Sequence, residues 1–173
     1  VSFPAHLLRR GFWLYVWELT FNDANISPNI FLYVGMTGDA SSRKSGSSFQ
    51  RMSQHLGRNP ASNALLRNLI EKKLIQIDSN GAVFPSGTHL RFVPCGPIFN
   101  EVATTPENPE DKNLFAEYWR RTSALEKKLR DSLANAGYQL LNEVNANTVL
   151  DESDWQYVKT VFQREFPRLK DVT

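Results

Sequence analysis

Large apolar and aromatic residues are concentrated in two short runs near the start of the chain, at residues 12–20 and 30–34. The residues between them are mostly Asn, Asp, Ser and Pro, which favour turns because they bond to their own backbone or restrict it. Runs of this length and composition are typical of strands. The pattern therefore predicts two antiparallel strands joined by a reversal of the chain.

A helical repeat of apolar residues begins after a polar, serine-rich loop. Phe49, Met52 and Leu56 recur at helical spacing. Arg51 and His55, four residues apart, share another face of the same predicted helix. Further patterns predict three helices and two strands, the helices at residues 61–74, 113–136 and 153–166 and the strands at 75–77 and 90–93.

Turn-forming residues set the bounds of these elements. Asn59 and Pro60 precede the helix at residues 61–74, and Ser153 is the predicted cap of the last helix. Several prolines make residues 94–111 a predicted loop. Because strands precede helices and form antiparallel hairpins, we predict an α+β fold, with a small, three-stranded, mainly antiparallel sheet flanked by helices.

The size of the chain limits its organisation. With 173 residues, of which 41% are hydrophobic, it is long enough for one domain with its own core. We expect that domain to span residues 1–173, with its core at about residues 11–146 and the helix at residues 153–166 as an extension.

Charge is distributed unevenly along a chain whose net charge is only +2. Between positions 43 and 73, seven basic residues accompany one acidic residue, a net charge of +6. Such a segment attracts a polyanion, because lysine and arginine release counterions when they neutralise phosphates. Four of its cations are candidate DNA contacts: Arg43, Lys44, Arg58 and Arg67. A solvated basic helix without a ligand is an equally good interpretation of the charge alone.

The single cysteine, Cys95, excludes an intrachain disulfide and makes a thiolate zinc site implausible. This usage is typical of a reducing cytoplasm, where we expect the protein to act. No apolar stretch approaches the roughly 20 residues that a membrane-spanning helix needs, and the first residues lack the pattern of a signal peptide. We therefore expect no membrane partner.

Two tyrosines, one arginine and one histidine are the candidate reactive residues of the first half of the chain. Tyr15 ends a Trp-Leu-Tyr segment in the first predicted strand, and Tyr33 begins a Tyr-Val-Gly segment in the second. Arg51 offers a planar fork of charged donors, and His55 offers a donor or an acceptor near neutral pH. An arginine and a histidine that project from one helix face near such a strand can bind one phosphate.

The order of these residues resembles the GIY-YIG nuclease superfamily, in its restriction-endonuclease-like branch. The Tyr-Val-Gly segment at Tyr33 matches the second motif of the family with one conservative change, whereas the segment at Tyr15 keeps only the tyrosine of the first motif. The spacing from Arg51 to His55 fits that branch. The usual spacing from the second tyrosine selects Arg43 instead, and we prefer Arg51 because the residues around Arg43 are too rich in serine and glycine for a helix.

The resemblance also implies a glutamate and an asparagine further along the chain. Glu126 follows Leu125 at the edge of the apolar face of the long predicted helix, where a carboxylate suits Mg²⁺ or Mn²⁺. Glu126 is thus the implied metal ligand, and the ordinary alternative is an ion pair with Arg130 one turn away. The Leu-Leu-Asn-Glu segment resembles the closing segment of the family. Its Asn142 is the implied residue that orders the site, with Asn145 as the alternative.

The activity that the resemblance implies is hydrolysis of DNA by a metal-dependent endonuclease, with a restriction-like role by analogy. Tyr15 would take the proton of the attacking water, Tyr33 would orient that water, and Arg51 would stabilise the phosphoryl charge. Because tyrosine has a pKa of about 10, Arg51, Lys44 or the metal would have to lower this pKa, or His55 would have to share the proton. Cutting both strands of a duplex favours a homodimer.

Two other functions remain open from the sequence. A DNA-binding module that has lost catalysis fits the altered first motif, and it would bind DNA with strong salt dependence without cutting it. An unrelated α+β protein-interaction domain would be stabilised by neither DNA nor metal, because neither would bind its native state.

Overall fold

The structure is a computed structural model that describes residues 4–23, 25–26, 29–39, 42–57, 59–78, 81–103 and 107–171. The strands in these ranges are β1 (Arg10–Thr20), β2 (Ile30–Met36), β3 (Gly46–Ser47), β4 (Gln76–Asp78), β5 (Gly81–Val83), β6 (His89–Asn100) and β7 (Gln139–Leu140). The α-helices are α1 (Ser48–His55), α2 (Ala64–Glu71), α3 (Pro109–Asn135) and α4 (Glu152–Glu165).

Strand β1 is the centre of the main sheet. It pairs antiparallel with β2 and β6, and its first two residues also pair with β3, while β7 lies parallel to the outer edge of β2. The α+β class is therefore confirmed and the sheet is mainly antiparallel as expected, but the expected number of three strands is wrong, because the sheet has five strands and one parallel pair. The additional β3 and β7 have two residues each, too few to produce a period in the sequence.

Strand β6 extends through a region that the sequence predicts as a loop. It includes Pro94 and Pro97 and runs to Asn100. Among the described strands β6 pairs with β1 alone, so it is an edge strand, where proline is tolerated. Its pairing with β1 shifts register between Phe12 and Leu14. The prolines were therefore poor evidence for the end of the strand.

Side-chain caps set the starts of the helices. Helix α2 is shorter than predicted, because its first residue follows Asn63, whose side chain accepts a hydrogen bond from the backbone N–H of Leu66. Helix α4 is capped by Asp151 and not by Ser153, since Asp151 accepts the backbone N–H groups of Ser153 and Asp154. Helix α3 begins four residues earlier than predicted, at a cap formed by Asn108.

The main sheet is covered on both faces. One face packs against α3 and α4, through a cluster that includes Leu14, Val16, Leu32, Val34, Leu125, Leu129, Trp155 and Phe162. The other face packs against α2, through a cluster that includes Tyr15, Trp17, Tyr33, Leu65, Leu66 and Leu69. Alternation along the strands thus places both candidate tyrosines on the same face. Across the described residues, no helix has the length and apolarity needed to cross a membrane.

Candidate active site

Gly35 allows the ring of Tyr15 to lie across the neighbouring strand. The two residues are partners in the register of β1 and β2. A Cβ atom at position 35 would lie 2.3 Å from the Tyr15 hydroxyl oxygen, far closer than a side chain can approach. The glycine of the Tyr-Val-Gly segment is therefore required by the tyrosine of the opposite strand, a relation between two distant parts of the chain.

The hydroxyl of Tyr15 lies between the two candidate residues of helix α1. Its oxygen is 2.8 Å from Nε2 of His55, and Nε of Arg51 donates to it at 3.3 Å. Arg51 and His55 are one helical turn apart, so both reach the same point. The side chain of Ser47 caps the helix by accepting the backbone N–H of Gln50, which fixes where that turn begins. The sequence prediction that these residues share a face agrees with this geometry.

A residue that sequence reasoning did not select, Asn63, contacts the other side of His55. Its Oδ1 is 3.3 Å from Nδ1 of the imidazole, and its Nδ2 donates to the carbonyl oxygens of His55 and Gly57. The available signal was an asparagine directly before an apolar helical repeat, which is typical of a helix cap. The contact with His55 could not be foreseen from that signal.

Tyr33 and Glu126 complete the cluster. The ring centroids of Tyr33 and His55 are 5.3 Å apart. Glu126 follows the buried Leu125 on α3, and burial raises its pKa to about 8 although the charge of Arg51 acts in the opposite direction. Burial, with Glu126 as the next cause, raises the pKa of Tyr33 to about 12. The carboxyl group is therefore close enough to the tyrosine and to the arginine for their charges to influence one another.

The alternative ion pair between Glu126 and Arg130 does not form. The guanidinium group of Arg130 instead bonds to Asp131, to Glu143 and to the backbone carbonyl of Asn142. Glu126 is therefore not paired with Arg130, and its charge instead influences Tyr15, Tyr33 and Arg51.

Burial decides the protonation of the central pair. It raises the pKa of Tyr15 far above its usual value, with a further increase from Tyr33 and an opposing effect from Arg51. It also lowers the pKa of His55 to about 4, which the hydrogen bond to Asn63 opposes. At pH 7 the pair is therefore a neutral phenol and a neutral imidazole. Arg51 lowers the pKa of Tyr15 as expected, but burial raises this pKa by more. The alternative expectation, that His55 shares the proton, needs a hydrogen bond between the two side chains, and their polar atoms are 2.8 Å apart.

Asn142 supports the site from behind β2. Its Oδ1 accepts the backbone N–H of Val34 at 3.1 Å, and its Nδ2 donates to the carbonyl of Val34 at 2.8 Å. These bonds continue the pairing that β7 begins along this edge, and they hold the backbone next to Tyr33. Asn145, the alternative, is exposed. Asn142 therefore holds the backbone of β2 at Val34, and its role in ordering a site stays a prediction.

A polar groove of about 720 Å³ opens beside Arg51. The residues that line it include Arg10, Lys44, Gln50, Gln54 and Trp119. Lys44 is thus a predicted DNA contact that lies at the groove. Arg10 is not among the predicted contacts, because it lies outside the basic segment at residues 43–73 and reaches the groove only through the pairing of β1 with β3.

Two other predicted DNA contacts, Arg43 and Arg67, are not among the residues that line this groove. Arg43 is exposed and has a left-handed backbone with φ of 51°, which is typical of a tight turn. Arg67 donates to the carbonyl oxygens of Pro60 and Ala61 in the turn before α2. Arg58 lies outside the described residues. Because Arg43 is not on α1, the geometry favours Arg51 as the arginine beside Tyr15.

The chemistry of Glu126 fits a divalent cation that binds few protein ligands. Within the described residues, no group of three or more His, Cys, Asp or Glu side chains could form a complete protein cage. A hard cation such as Mg²⁺ commonly binds through one or two carboxylates and keeps several waters. Glu126 fits that pattern, and it must lose its proton when the cation binds.

Comparison of the chain with protein-family models finds no match, and comparisons with curated proteins and with solved structures find none either. The function is therefore inferred from the arrangement of these side chains and from the motifs that they form.

Proposed function

We propose that this chain is a metal-dependent DNA endonuclease of the GIY-YIG type, which hydrolyses phosphodiester bonds. The observation that carries the proposal is the contact of one buried hydroxyl, that of Tyr15, with both Arg51 and His55. Glu126 lies on α3, more than seventy residues later in the chain, and its charge influences Tyr15 and Arg51. A cluster of these residue types has little value for stability, because burying it disfavours every charged form.

Glu126 would hold the cation, Mg²⁺ or Mn²⁺. When bound, the ion acts as a Lewis acid that stabilises negative charge on the scissile phosphate and on the leaving oxygen. Arg51 borders the groove and donates from a planar guanidinium, which suits a phosphoryl group with developing charge. These two residues supply opposite charges around the position of the phosphate.

Tyr15 and His55 move the proton. The hydroxyl oxygen of Tyr15 accepts a proton from the attacking water while the hydroxyl proton passes to Nε2 of His55. This transfer avoids a free phenolate, which burial disfavours strongly, and forms an imidazolium ion, which burial also disfavours. The negative charge of the DNA phosphate favours the imidazolium, so the transfer becomes easier when the substrate is bound. His55 is neutral above a pH of about 4, and it is therefore able to accept.

DNA would occupy the groove beside Arg51. Arg10 and Lys44 both line that groove and would contact phosphates there, although Arg10 also forms an ion pair with Glu101 that such a contact would have to compete with. Cleavage of both strands would require a second active site, which favours a homodimer on duplex DNA.

The test is incubation of the protein with supercoiled plasmid and with short duplexes, in magnesium and in a chelator. Cleavage that requires the metal supports the proposal, whereas binding without any cleavage identifies an inactive DNA-binding module. Tyr15→Phe should reduce the cleavage rate by about 10²- to 10⁴-fold, the usual contribution of a proton-transfer group. Tyr138→Phe is the matched control, since its ring packs against Phe166 on the other side of the sheet. Equal rates for both variants would refute the assignment of Tyr15.

A further inference from the structure

Asn63 lies at the junction of α1 and α2 and is almost fully buried, with 1% of its surface exposed. Both the nitrogen and the oxygen of its side-chain amide have two polar partners in this junction. The Nδ2 group donates to the carbonyls of His55 at 2.7 Å and of Gly57 at 2.9 Å. The Oδ1 atom accepts the backbone N–H of Leu66 at 3.1 Å and faces Nδ1 of the imidazole at 3.3 Å.

These partners fix the orientation of the amide. Two carbonyl oxygens can accept only from the NH₂ group, and a backbone N–H can donate only to the oxygen. Exchanging the oxygen and the nitrogen of Asn63 would therefore place acceptor against acceptor at two positions and donor against donor at a third. It follows that the atom facing Nδ1 of His55 is an acceptor.

An acceptor opposite Nδ1 determines the state of the imidazole. Nδ1 must carry a proton to make this bond, and a neutral imidazole has only one such proton. We propose that Asn63 is a positioning residue that holds His55 in the Nδ1–H tautomer, so that Nε2 is free to accept the hydroxyl proton of Tyr15. The value of this role for cleavage rests on the proposed function, but the tautomer itself does not.

The other tautomer would oppose the surrounding groups. It would place a lone pair of Nδ1 against a lone pair of the Asn63 oxygen, and it would give Nε2 a proton that blocks transfer from Tyr15. A histidine oriented by a hydrogen bond on its second nitrogen is the arrangement used in enzymes with histidine bases, including those in which asparagine is the third group. Here the histidine would accept the hydroxyl proton of a tyrosine.

The remaining charged and titratable groups around His55 do not reverse this assignment. Tyr15 faces it from β1 and Tyr33 from β2, both as neutral phenols, while Arg51 on its own helix disfavours an imidazolium ion. From α2, Arg67 acts on Tyr33. The positive charges favour a neutral imidazole, and Asn63 then selects which nitrogen carries the proton.

The tautomer can be read directly by long-range ¹H–¹⁵N NMR of the ¹⁵N-labelled full chain. The protein contains three histidines, so His6→Gln and His89→Gln variants assign the signals of His55 by elimination. We expect Nδ1 of His55 to have the shift of a protonated nitrogen and Nε2 that of a bare nitrogen, from pH 6 to pH 8. A protonated Nε2 with a bare Nδ1 would overturn the proposal, whether or not the protein cuts DNA.

The pH dependence of cleavage provides the second test. In Asn63→Asp one carboxylate oxygen still accepts from His55 and Leu66. The other oxygen loses the two bonds to the carbonyls of His55 and Gly57, which lowers stability. The negative charge stabilises the imidazolium ion, which cannot accept a proton from Tyr15. We therefore expect the acidic limb of the cleavage profile to move to higher pH by about one unit or more. Asn108→Asp is the control, because Asn108 is also a helix cap but contacts no histidine.

The outcomes are separable. Loss of folding would lower the Asn63→Asp rate equally at every pH, whereas a shifted limb relative to Asn108→Asp supports the positioning role. An unshifted limb in a folded Asn63→Asp variant would overturn it. If the unmodified protein does not cut DNA, the proposed function fails, and the NMR experiment still decides the tautomer.

Discussion

Replacement of Glu126 by glutamine should make the protein more stable at neutral pH while it removes the proposed metal ligand. The carboxyl group is held beside Leu125 in a position where its charged form loses hydration, and burial raises its pKa from 4.5 to about 8. Glutamine has nearly the same shape and no charge to bury. A residue kept at a cost in stability is expected where function requires it.

The size and sign of the effect follow from the shift. Between pH 4.5 and 8 the folded protein keeps the proton of Glu126 and the unfolded chain loses it, so the free energy of unfolding falls as pH rises through this window. At pH 7 the ceiling is about 3 kcal/mol, at 1.36 kcal/mol per pH unit. Because Glu126 is only half-buried by its exposed surface, solvent screens part of this effect, and we expect the Glu126→Gln variant to be more stable by about 1–3 kcal/mol.

The assay is urea unfolding of the two proteins at pH 5 and pH 8. The difference in the free energy of unfolding should be small at pH 5 and should reach its full value at pH 8. Glu117→Gln is the control, since Glu117 is an exposed residue of the same helix. An equal difference in the free energy of unfolding between the two proteins at both pH values would show that the pKa of Glu126 is not raised. That result would contradict the buried position assigned to this carboxyl group.

Further substitutions test the packing and the choice of arginine. Gly35→Ala should destabilise the protein by about 1–3 kcal/mol, because the added methyl group would displace the ring of Tyr15. Gly46→Ala is the control and should cost less, because its methyl group would meet only the end of the flexible Gln50 side chain. The urea midpoints of the two variants measure the difference in stability. Arg51→Lys should lower the cleavage rate by about 10²- to 10³-fold, because an ammonium group cannot reproduce the guanidinium fork. Arg43→Lys should leave the rate nearly unchanged, and the reverse order of the two rates would select Arg43.

The local parts of the site could be predicted from the sequence. Tyr15 and Tyr33 lie in runs whose strand character is evident, and the hairpin fixes which residues oppose each other. Arg51 and His55 share a helix face because four residues make about one turn. These predictions depend only on periodicity and on short spacings, which the chain keeps regardless of its tertiary environment.

Contacts between distant segments could not be predicted. The pairing of β7 with β2, the reach of Arg10 to the groove and the bonds from Asn142 to Val34 all depend on how elements pack after they form. The continuation of β6 was missed because proline usually ends a strand, and an edge position removes that constraint. Asn63 was missed because its cap signal shows nothing of the histidine beside it.

The central claim is that Tyr15, Arg51, His55 and Glu126 form a metal-dependent nuclease site. Its most direct test is the cleavage rate of supercoiled plasmid in magnesium, measured for the unmodified protein, for Glu126→Gln and for the unmodified protein with a chelator. The account predicts cleavage by the unmodified protein in magnesium, none in the chelator, and none by Glu126→Gln although that variant is folded. Cleavage by Glu126→Gln at the unmodified rate, or no cleavage by any of the three, would contradict it.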